Sequence, residues 1–189
     1  SLEASLDYGW NGPTEEIKDI RLKVLAYAIL APNPHNKQPW IIKLTSSNSF
    51  DLYVDPTRLL PETDPYYRQI HIGQGTFLET LAIAATGLGH QADIQYFPQG
   101  SYSNKELQNK PVASISLINN ASIEVDPLFS HLLNRQSNKS EYVNQPLAQS
   151  KINELREFHR NASSTLTLVN SAEAKQKLET VLTQAMQIE

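Results

Sequence analysis

Cysteine is absent from the 189 residues of the chain, so disulfides, zinc–thiolate sites and a cysteine nucleophile are excluded. Positive charge is not in excess: the formal net charge is −4, whereas broad binding to nucleic acid needs a basic surface. No apolar run approaches the roughly 20 residues that span a bilayer, and no signal peptide is visible. We therefore expect a globular cytoplasmic protein, with an exported protein as the alternative. Ser1 in place of methionine indicates a processed or trimmed chain.

Common catalytic motifs are missing as well. The five histidines are scattered without the spacing of a metal-binding pair, and neither a GxSxG elbow nor a phosphate-binding GxxxxGK[ST] loop occurs. The stretch GLGHQA at 87–92 loosely matches a dinucleotide-binding fingerprint. It follows a predicted helix and precedes a predicted strand, which is the reverse of the order that pyrophosphate binding requires. A protein without these side chains can still do chemistry if a cofactor carries it.

Hydrophobic spacing predicts helices and strands without a regular βαβ alternation, which favours an α+β fold. Strands are predicted at 40–44, 50–54, 92–97, 112–118 and 165–169. Helices are predicted to begin at Pro13, after Gly75, at Asp126–Pro127 for a short helix through Leu133, at Ser150 and at Ser171. The last helix is predicted to run to Glu189 and to carry an apolar stripe, which would need a partner surface.

One loop has unusually fixed stereochemistry. The sequence APNPHNKQPW at 31–40, here called the proline loop, holds three prolines between a predicted helix and a predicted strand. It resembles the flavin-contacting motif of the nitroreductase family, usually written A-P-S-S-x-N-x-Q-P-W. The matching residues are Ala31, Pro32, Asn36, Gln38, Pro39 and Trp40. Asn33 and Pro34 replace the two usual serines.

A second stretch narrows the resemblance. Residues 53–89 are similar to the Acg-like branch of that family, whose members read D-x-x-R-x-L-P-x-x-D-P-x-x-R-E-x-x-I-x-x-G. The resemblance implies an FMN cofactor and an α+β fold with a mainly antiparallel sheet packed with helices. It also implies flavin contacts from Pro32, Asn33, Pro34, Asn36 and Gln38. The alternative is a rigid helix-to-strand connection in which Trp40 is a core residue.

The physical chemistry of the proline loop is consistent with a bound flavin. The isoalloxazine ring has a flat apolar body and one polar edge of carbonyls and ring nitrogens. A loop stiffened by proline can present backbone N–H and C=O groups to that edge at a small entropic cost. The side chain of Asn36 offers a donor and an acceptor, which matches the mixed edge of the ring.

The stretch RQSNKSEY at 135–142 resembles the R-x-S-x-R motif with which ordinary nitroreductases bind the FMN phosphate. Arg135 and Ser137 match it, Lys139 stands where the second arginine would be, and Gln136 lies between them. A forked guanidinium and a hydroxyl group suit a phosphate. The alternative is a solvated basic turn that caps the preceding helix.

Acg-like proteins resemble a dimer fused into one chain. Residues 1–126 are then predicted to form a first nitroreductase-like half, and residues 127–189 the start of an apparently truncated second half. The expected partners are NAD(P)H and a small-molecule electron acceptor, and either a homodimer or a missing C-terminal part is expected to complete the fold. No catalytic side chain, metal, nucleic acid or membrane is expected.

The resemblance implies an FMN-dependent oxidoreductase that transfers hydride from NAD(P)H through flavin to a nitroaromatic, a quinone or a similar acceptor. The alternative function is flavin binding or storage of the Acg type without efficient turnover. A plain interaction module is the third hypothesis, and it predicts a protein without bound flavin.

Overall fold

The computed structural model describes residues 10–107, 109–143, 145–160 and 164–187. The chain divides into two compact units, Ser1–Ser137 and Asn138–Glu189. The first unit contains a sheet and two helices: α1 Ile20–Ala28, β1 Trp40–Leu44, β2 Ser49–Val54, α2 Arg68–Gly87, β3 His90–Tyr96 and β4 Ala113–Asn119. The second unit contains α3 Gln149–Phe158 and α4 Ala172–Met186.

The four strands form one sheet in the order β1-β2-β4-β3, and each neighbouring pair is antiparallel. In the register, Ile42 of β1 lies opposite Leu52 of β2, and Leu52 lies opposite Ala113 of β4. The α+β class and the antiparallel sheet predicted from the sequence are therefore confirmed. Four of the predicted strands occur within one or two residues of their predicted bounds.

The core lies on one face of this sheet because side chains of a strand alternate between its two faces. Buried residues alternate along β2 and the first five residues of β4: Phe50, Leu52, Val54, Ala113, Ile115 and Leu117. Helices α1 and α2 cover this face with Val24, Ala28, Phe77, Leu81 and Ala84. The opposite face is polar, and there the Ser114 hydroxyl donates to Asp51 Oδ1 at 2.6 Å.

Helix α2 begins at Arg68, earlier than the predicted start after Gly75. The preceding residue, Tyr67, has a left-handed backbone (φ 56°) and provides no side-chain cap. Instead, the buried carboxylate of Asp64 accepts hydrogen bonds from the backbone N–H groups of Arg68 (2.8 Å) and Ile70 (2.9 Å). Asp64 lies four residues before the helix, and a cap at that distance has no simple spacing pattern in the sequence. The predicted start of α2 was therefore wrong.

Two other predictions of helices were wrong in their bounds. Helix α1 begins at Ile20 instead of Pro13, because Asp19 caps it by accepting from the N–H of Arg21 at 2.9 Å. The short helix predicted from Asp126–Pro127 through Leu133 is a 3₁₀ turn at Phe129–His131. Tertiary packing of the Phe129 ring, 5.4 Å from the ring of Tyr27, holds this segment in a short turn.

The second unit has two helices without buried residues. Ser171 caps α4 as predicted, by accepting from the N–H of Ala174 at 3.2 Å. The apolar stripe of α4 is exposed at Leu178, Val181 and Leu182. Helix α3 begins at Gln149, one residue before the predicted Ser150.

The strand predicted at 165–169 is irregular in the structure, because no neighbouring strand pairs with it within the described residues of this unit. Helix α4 ends at Met186, and the last two residues of the predicted helix lie outside the described residues. Among the described residues, no helix is long and apolar enough to cross a membrane.

Replacement of the buried cap, Asp64→Ala, should destabilise the first unit by about 1–2 kcal/mol, because two N–H groups at the start of α2 lose their acceptor. Urea unfolding measures this loss. The control is Asp93→Ala, which removes an exposed carboxylate from β3. Equal unfolding midpoints for the two variants would contradict the capping role of Asp64.

Candidate functional site

The proline loop connects α1 to β1 and has a strained backbone. His35, Asn36 and Gln38 have φ values of 49°, 50° and 50°, in the left-handed region that non-glycine residues seldom adopt. A short 3₁₀ turn at Pro34–Asn36 contains two of them. Such a conformation persists only where the surroundings determine it, and it is concentrated at functional sites.

Asn33 stabilises the loop from within. Its Oδ1 accepts from the backbone N–H of Gln38 at 2.8 Å, and its Nδ2 donates to the Ala31 carbonyl at 3.1 Å. The N–H of Lys37 also donates to the Pro34 carbonyl at 3.0 Å. Asn33 therefore joins both ends of the turn, although it replaces a serine of the usual motif.

Side chains from three other segments each donate to a backbone carbonyl in or beside the loop. These hydrogen bonds join Arg135 Nη2 to Leu30 O (3.1 Å), Thr76 Oγ1 to Pro32 O (2.6 Å), Arg58 Nη1 to Lys37 O (3.2 Å) and Gln74 Nε2 to Pro39 O (2.9 Å). They hold the loop along its whole length against the body of the first unit. We call these four donors the loop clamps.

Two buried polar atoms close to the end of the loop have no hydrogen-bond partner: Gln74 Oε1 and Trp40 Nε1. Gln74 is only 1% exposed, and its other amide atom is the donor to Pro39. The Trp40 ring packs on Phe77 with centroids 4.8 Å apart, so Trp40 is also part of the core. A buried donor and a buried acceptor are costly unless a water or a ligand group satisfies them.

The outer side of the loop is exposed at Pro32, His35 and Asn36. Asn36 Oδ1 has only a long contact, 3.5 Å, with Asn33 Nδ2. Asn36 Nδ2 donates no hydrogen bond to any of the residues that the structure describes. The loop thus presents an apolar proline and a free amide donor on its outer side, which can contact a flat polar-edged molecule.

Arg135 is brought to the base of the loop by its hydrogen bond to Leu30, across 105 residues of sequence. Within the described part of the chain, no carboxylate lies within 4.0 Å of its guanidinium group. Gln136 and Ser137 follow it and are exposed, as is Lys139, which belongs to the second unit. The first residue of the second motif, Arg135, therefore lies beside the proline loop.

Gln38 and Pro34, which were also predicted for the site, attach the loop to the two helices of the first unit. Gln38 Nε2 donates to the Ile29 carbonyl at 3.4 Å, which ties the loop to the end of α1. Pro34 packs against α2, where a side chain on Gly73 would lie 3.3 Å from the proline ring. The described residues contain no group of three or more side chains suited to bind a metal ion.

Three of the loop clamps were not identified from the sequence: Arg58, Gln74 and Thr76. Arg58 occupies the arginine position of the D-x-x-R pattern that was recognised at 53–89. Gln74 is the polar residue on the otherwise apolar buried side of α2, and this mismatch is a usable signal for a specific partner. Thr76 has no comparable signal, since its hydroxyl also bonds the Gly73 carbonyl within the helix.

Comparison with curated proteins gives short but significant matches in Mycobacterium tuberculosis (strain H37Rv). The chain is 36% identical over 75 residues to "Putative NAD(P)H nitroreductase Rv3131", covering 40% of this chain and 22% of that protein. It is 30% identical over 80 residues to "Putative NAD(P)H nitroreductase acg", covering 42% and 24%. The chain thus spans about a fifth to a quarter of the length of the curated relatives it matches.

Solved structures with a similar arrangement are more distant in sequence. A NADH oxidase from Clostridium acetobutylicum superposes with a TM-score of 0.44 at 15% identity, covering 74% of this chain and 95% of the other. A nitroreductase from Exiguobacterium sibiricum in complex with FMN gives a TM-score of 0.38 at 16% identity, covering 77% and 89%.

No family model matches the chain. The similarity to nitroreductases lies in the sequence matches to the mycobacterial proteins and in the motifs at 31–40 and 53–89. On these grounds, the chain is similar over about two fifths of its length to proteins named as putative NAD(P)H nitroreductases, Acg among them.

Proposed function

We propose that the chain binds FMN and acts as a NAD(P)H-dependent oxidoreductase of the nitroreductase type. The observation that carries this proposal is the position of Arg135. Its guanidinium group has no carboxylate partner among the described residues and lies 3.1 Å from the Leu30 carbonyl, at the base of the strained proline loop. A cation beside a rigid polar loop suits a cofactor with a phosphate and a flat ring.

The residues present fit FMN in their chemistry. Arg135, with Gln136, Ser137 and Lys139 after it, offers cationic and hydroxyl groups to the phosphate, as the motif predicts. Pro32, Asn33, Pro34 and Asn36 are assigned to the ring, with Gln38 behind them. The free amide of Asn36 and the unpartnered buried atoms of Trp40 and Gln74 are polar groups that a bound ring or its waters would satisfy.

When bound, FMN supplies the redox chemistry by accepting hydride from NAD(P)H and passing reducing equivalents to a nitroaromatic, a quinone or a similar acceptor. The protein's task is to hold the ring and orient it. The loop clamps fix the backbone of the loop that would contact the ring, and Arg135 would neutralise negative charge on the phosphate. No side chain of this chain is assigned as a catalytic acid or base.

The site as proposed is assembled within one chain, because Arg135 lies beside the proline loop of its own chain. A homodimer remains part of the proposal, as does a further segment. Either one would add contacts on the exposed outer side of the loop at His35 and Asn36. The halves predicted at 1–126 and 127–189, and a cytoplasmic location, also remain predictions.

FMN, not FAD, should be recovered from the purified protein, because the sequence has a phosphate-type motif and no dinucleotide fingerprint in the required order. Extraction of the flavin followed by chromatography against both standards identifies it. Recovery of FAD, or a colourless protein that takes up no FMN, would refute the proposed cofactor.

Replacement of the phosphate-binding cation, Arg135→Ala, should weaken FMN binding by ~1.5–3 kcal/mol, which is roughly 10- to 150-fold in Kd. Riboflavin lacks the phosphate and should lose much less. The control is Lys43→Ala, which removes one positive charge on β1 in the same unit. Equal losses for the two flavins would show that Arg135 has only a structural role.

Bound FMN should lose its yellow absorbance when NADPH or NADH is added without oxygen, because an enzyme of this type takes its electrons from a nicotinamide. Absorbance near the flavin maximum, followed by addition of a quinone, measures both half-reactions. Bleaching that reverses with the quinone supports the oxidoreductase. Tight FMN binding without bleaching would instead support the flavin-storage function.

A further inference from the structure

Residues 126–135, here called the strap, run from the end of α2 to the proline loop. The strap starts at the last turn of α2, where the backbone N–H of Asp126 donates to Thr86 Oγ1 at 2.9 Å. It ends at Arg135, whose guanidinium group donates to the Leu30 carbonyl at 3.1 Å. The contacts that hold the strap between these two ends therefore also hold Arg135, which is the cation of the proposed site.

The centre of the strap is held by the packing of Phe129 on Gly87. A Cβ atom on Gly87 would overlap the ring of Phe129, so this glycine provides the space for the ring. Gly87 is the last residue of α2 and does not have a positive φ, so its backbone conformation does not require glycine. Glycine is therefore needed at position 87 because a side chain there would displace the Phe129 ring.

The same ring also contacts α1, since the centroids of Phe129 and Tyr27 are 5.4 Å apart. Leu30, which accepts the hydrogen bond from Arg135, follows Tyr27 by three residues. Phe129 therefore packs the strap against the end of α1, next to the Leu30 carbonyl that accepts from Arg135. A shift of the ring changes the position of the strap relative to Leu30.

Two further contacts transmit the position of the ring to Arg135. Leu133 packs against Gly12, where a Cβ atom would lie 3.2 Å from Leu133 Cδ2. The backbone N–H of Arg135 donates to the His131 carbonyl at 2.9 Å, within two residues of Phe129. These short-range contacts fix the backbone of Arg135 relative to the ring, and its guanidinium group is then held by the hydrogen bond to Leu30.

We propose that Gly87 and Phe129 are positioning residues for Arg135, and that they thereby set the preference of the site for phosphorylated over unphosphorylated flavin. The inference rests on the proposed function, since it concerns the phosphate end of that site. Neither residue is assigned to touch the cofactor. They act through the strap, which places the Arg135 guanidinium group at the base of the loop.

The test compares Gly87→Ala with Gly75→Ala in the same helix. At Gly75 an added Cβ atom meets nothing within 4 Å, so this variant makes the same chemical change without displacing a neighbour. Gly87→Ala should weaken FMN binding about 5- to 50-fold, less than the loss expected for Arg135→Ala, and leave riboflavin binding nearly unchanged. Gly75→Ala should bind both flavins like the parent protein.

A double variant separates positioning from general damage to the fold. If Gly87 acts through Arg135, then Gly87→Ala added to Arg135→Ala should cause no further loss of FMN affinity. An additive loss, or an equal loss for riboflavin, would overturn the proposal. Thr86→Val is the milder variant should Gly87→Ala fail to fold, because it keeps the side-chain volume while it removes the acceptor for the N–H of Asp126 and the intrahelical hydrogen bond to the Ile83 carbonyl.

A measurement without flavin distinguishes this inference from the proposed function. In ¹H–¹⁵N spectra of the flavin-free protein, Gly87→Ala and Thr86→Val should shift the backbone and Nε resonances of Arg135, whereas Gly75→Ala should not. If the parent protein binds no FMN, the proposed function fails, and these shifts still decide whether Gly87 positions Arg135. Unchanged Arg135 resonances in both variants would refute the inference.

Discussion

The hydrogen bonds from the loop clamps to the backbone carbonyls of the proline loop are the interactions on which the candidate site depends. The loop contains three non-glycine residues in the left-handed region, and each costs on the order of 1–3 kcal/mol. A loop left to itself would relax from that conformation. Gln74 and Thr76 of α2, with Arg58 and Arg135, hold it from outside, so helix α2 is both the core helix and the support of the site.

The strands were predictable from the sequence, whereas the starts of the helices were not. In β2, buried Phe50, Leu52 and Val54 alternate with polar residues, and this period is visible in one dimension. The start of α2 depends on Asp64, which reaches past a left-handed Tyr67 to two N–H groups. Because that contact is made by a loop conformation and not by a fixed spacing, hydrophobic periodicity alone places the helix too late.

The same distinction applies to the candidate site. The proline loop was recognisable because its residues are consecutive, and a local pattern was enough to connect it with flavin. Its supports come from positions separated by 21 to 105 residues along the chain. No single segment contains the information that Gln74 faces Pro39 or that Arg135 faces Leu30. These contacts follow only when the sheet places α1 and α2 side by side, which is a property of the whole unit.

The departures from the usual loop motif support its rigidity instead of weakening it. Asn33 stands where a serine is usual, and its amide both donates to Ala31 and accepts from Gln38, which a hydroxyl on a shorter side chain could not do across the same turn. Pro34 fixes one φ angle and needs space, which Gly73 provides on α2. Asn33 is thus satisfied by its hydrogen bonds within the loop, and Pro34 is accommodated by Gly73. Internal hydrogen bonds and packing against α2 both hold the loop in one conformation. A rigid loop of this kind is suited to present a fixed surface to a rigid ring.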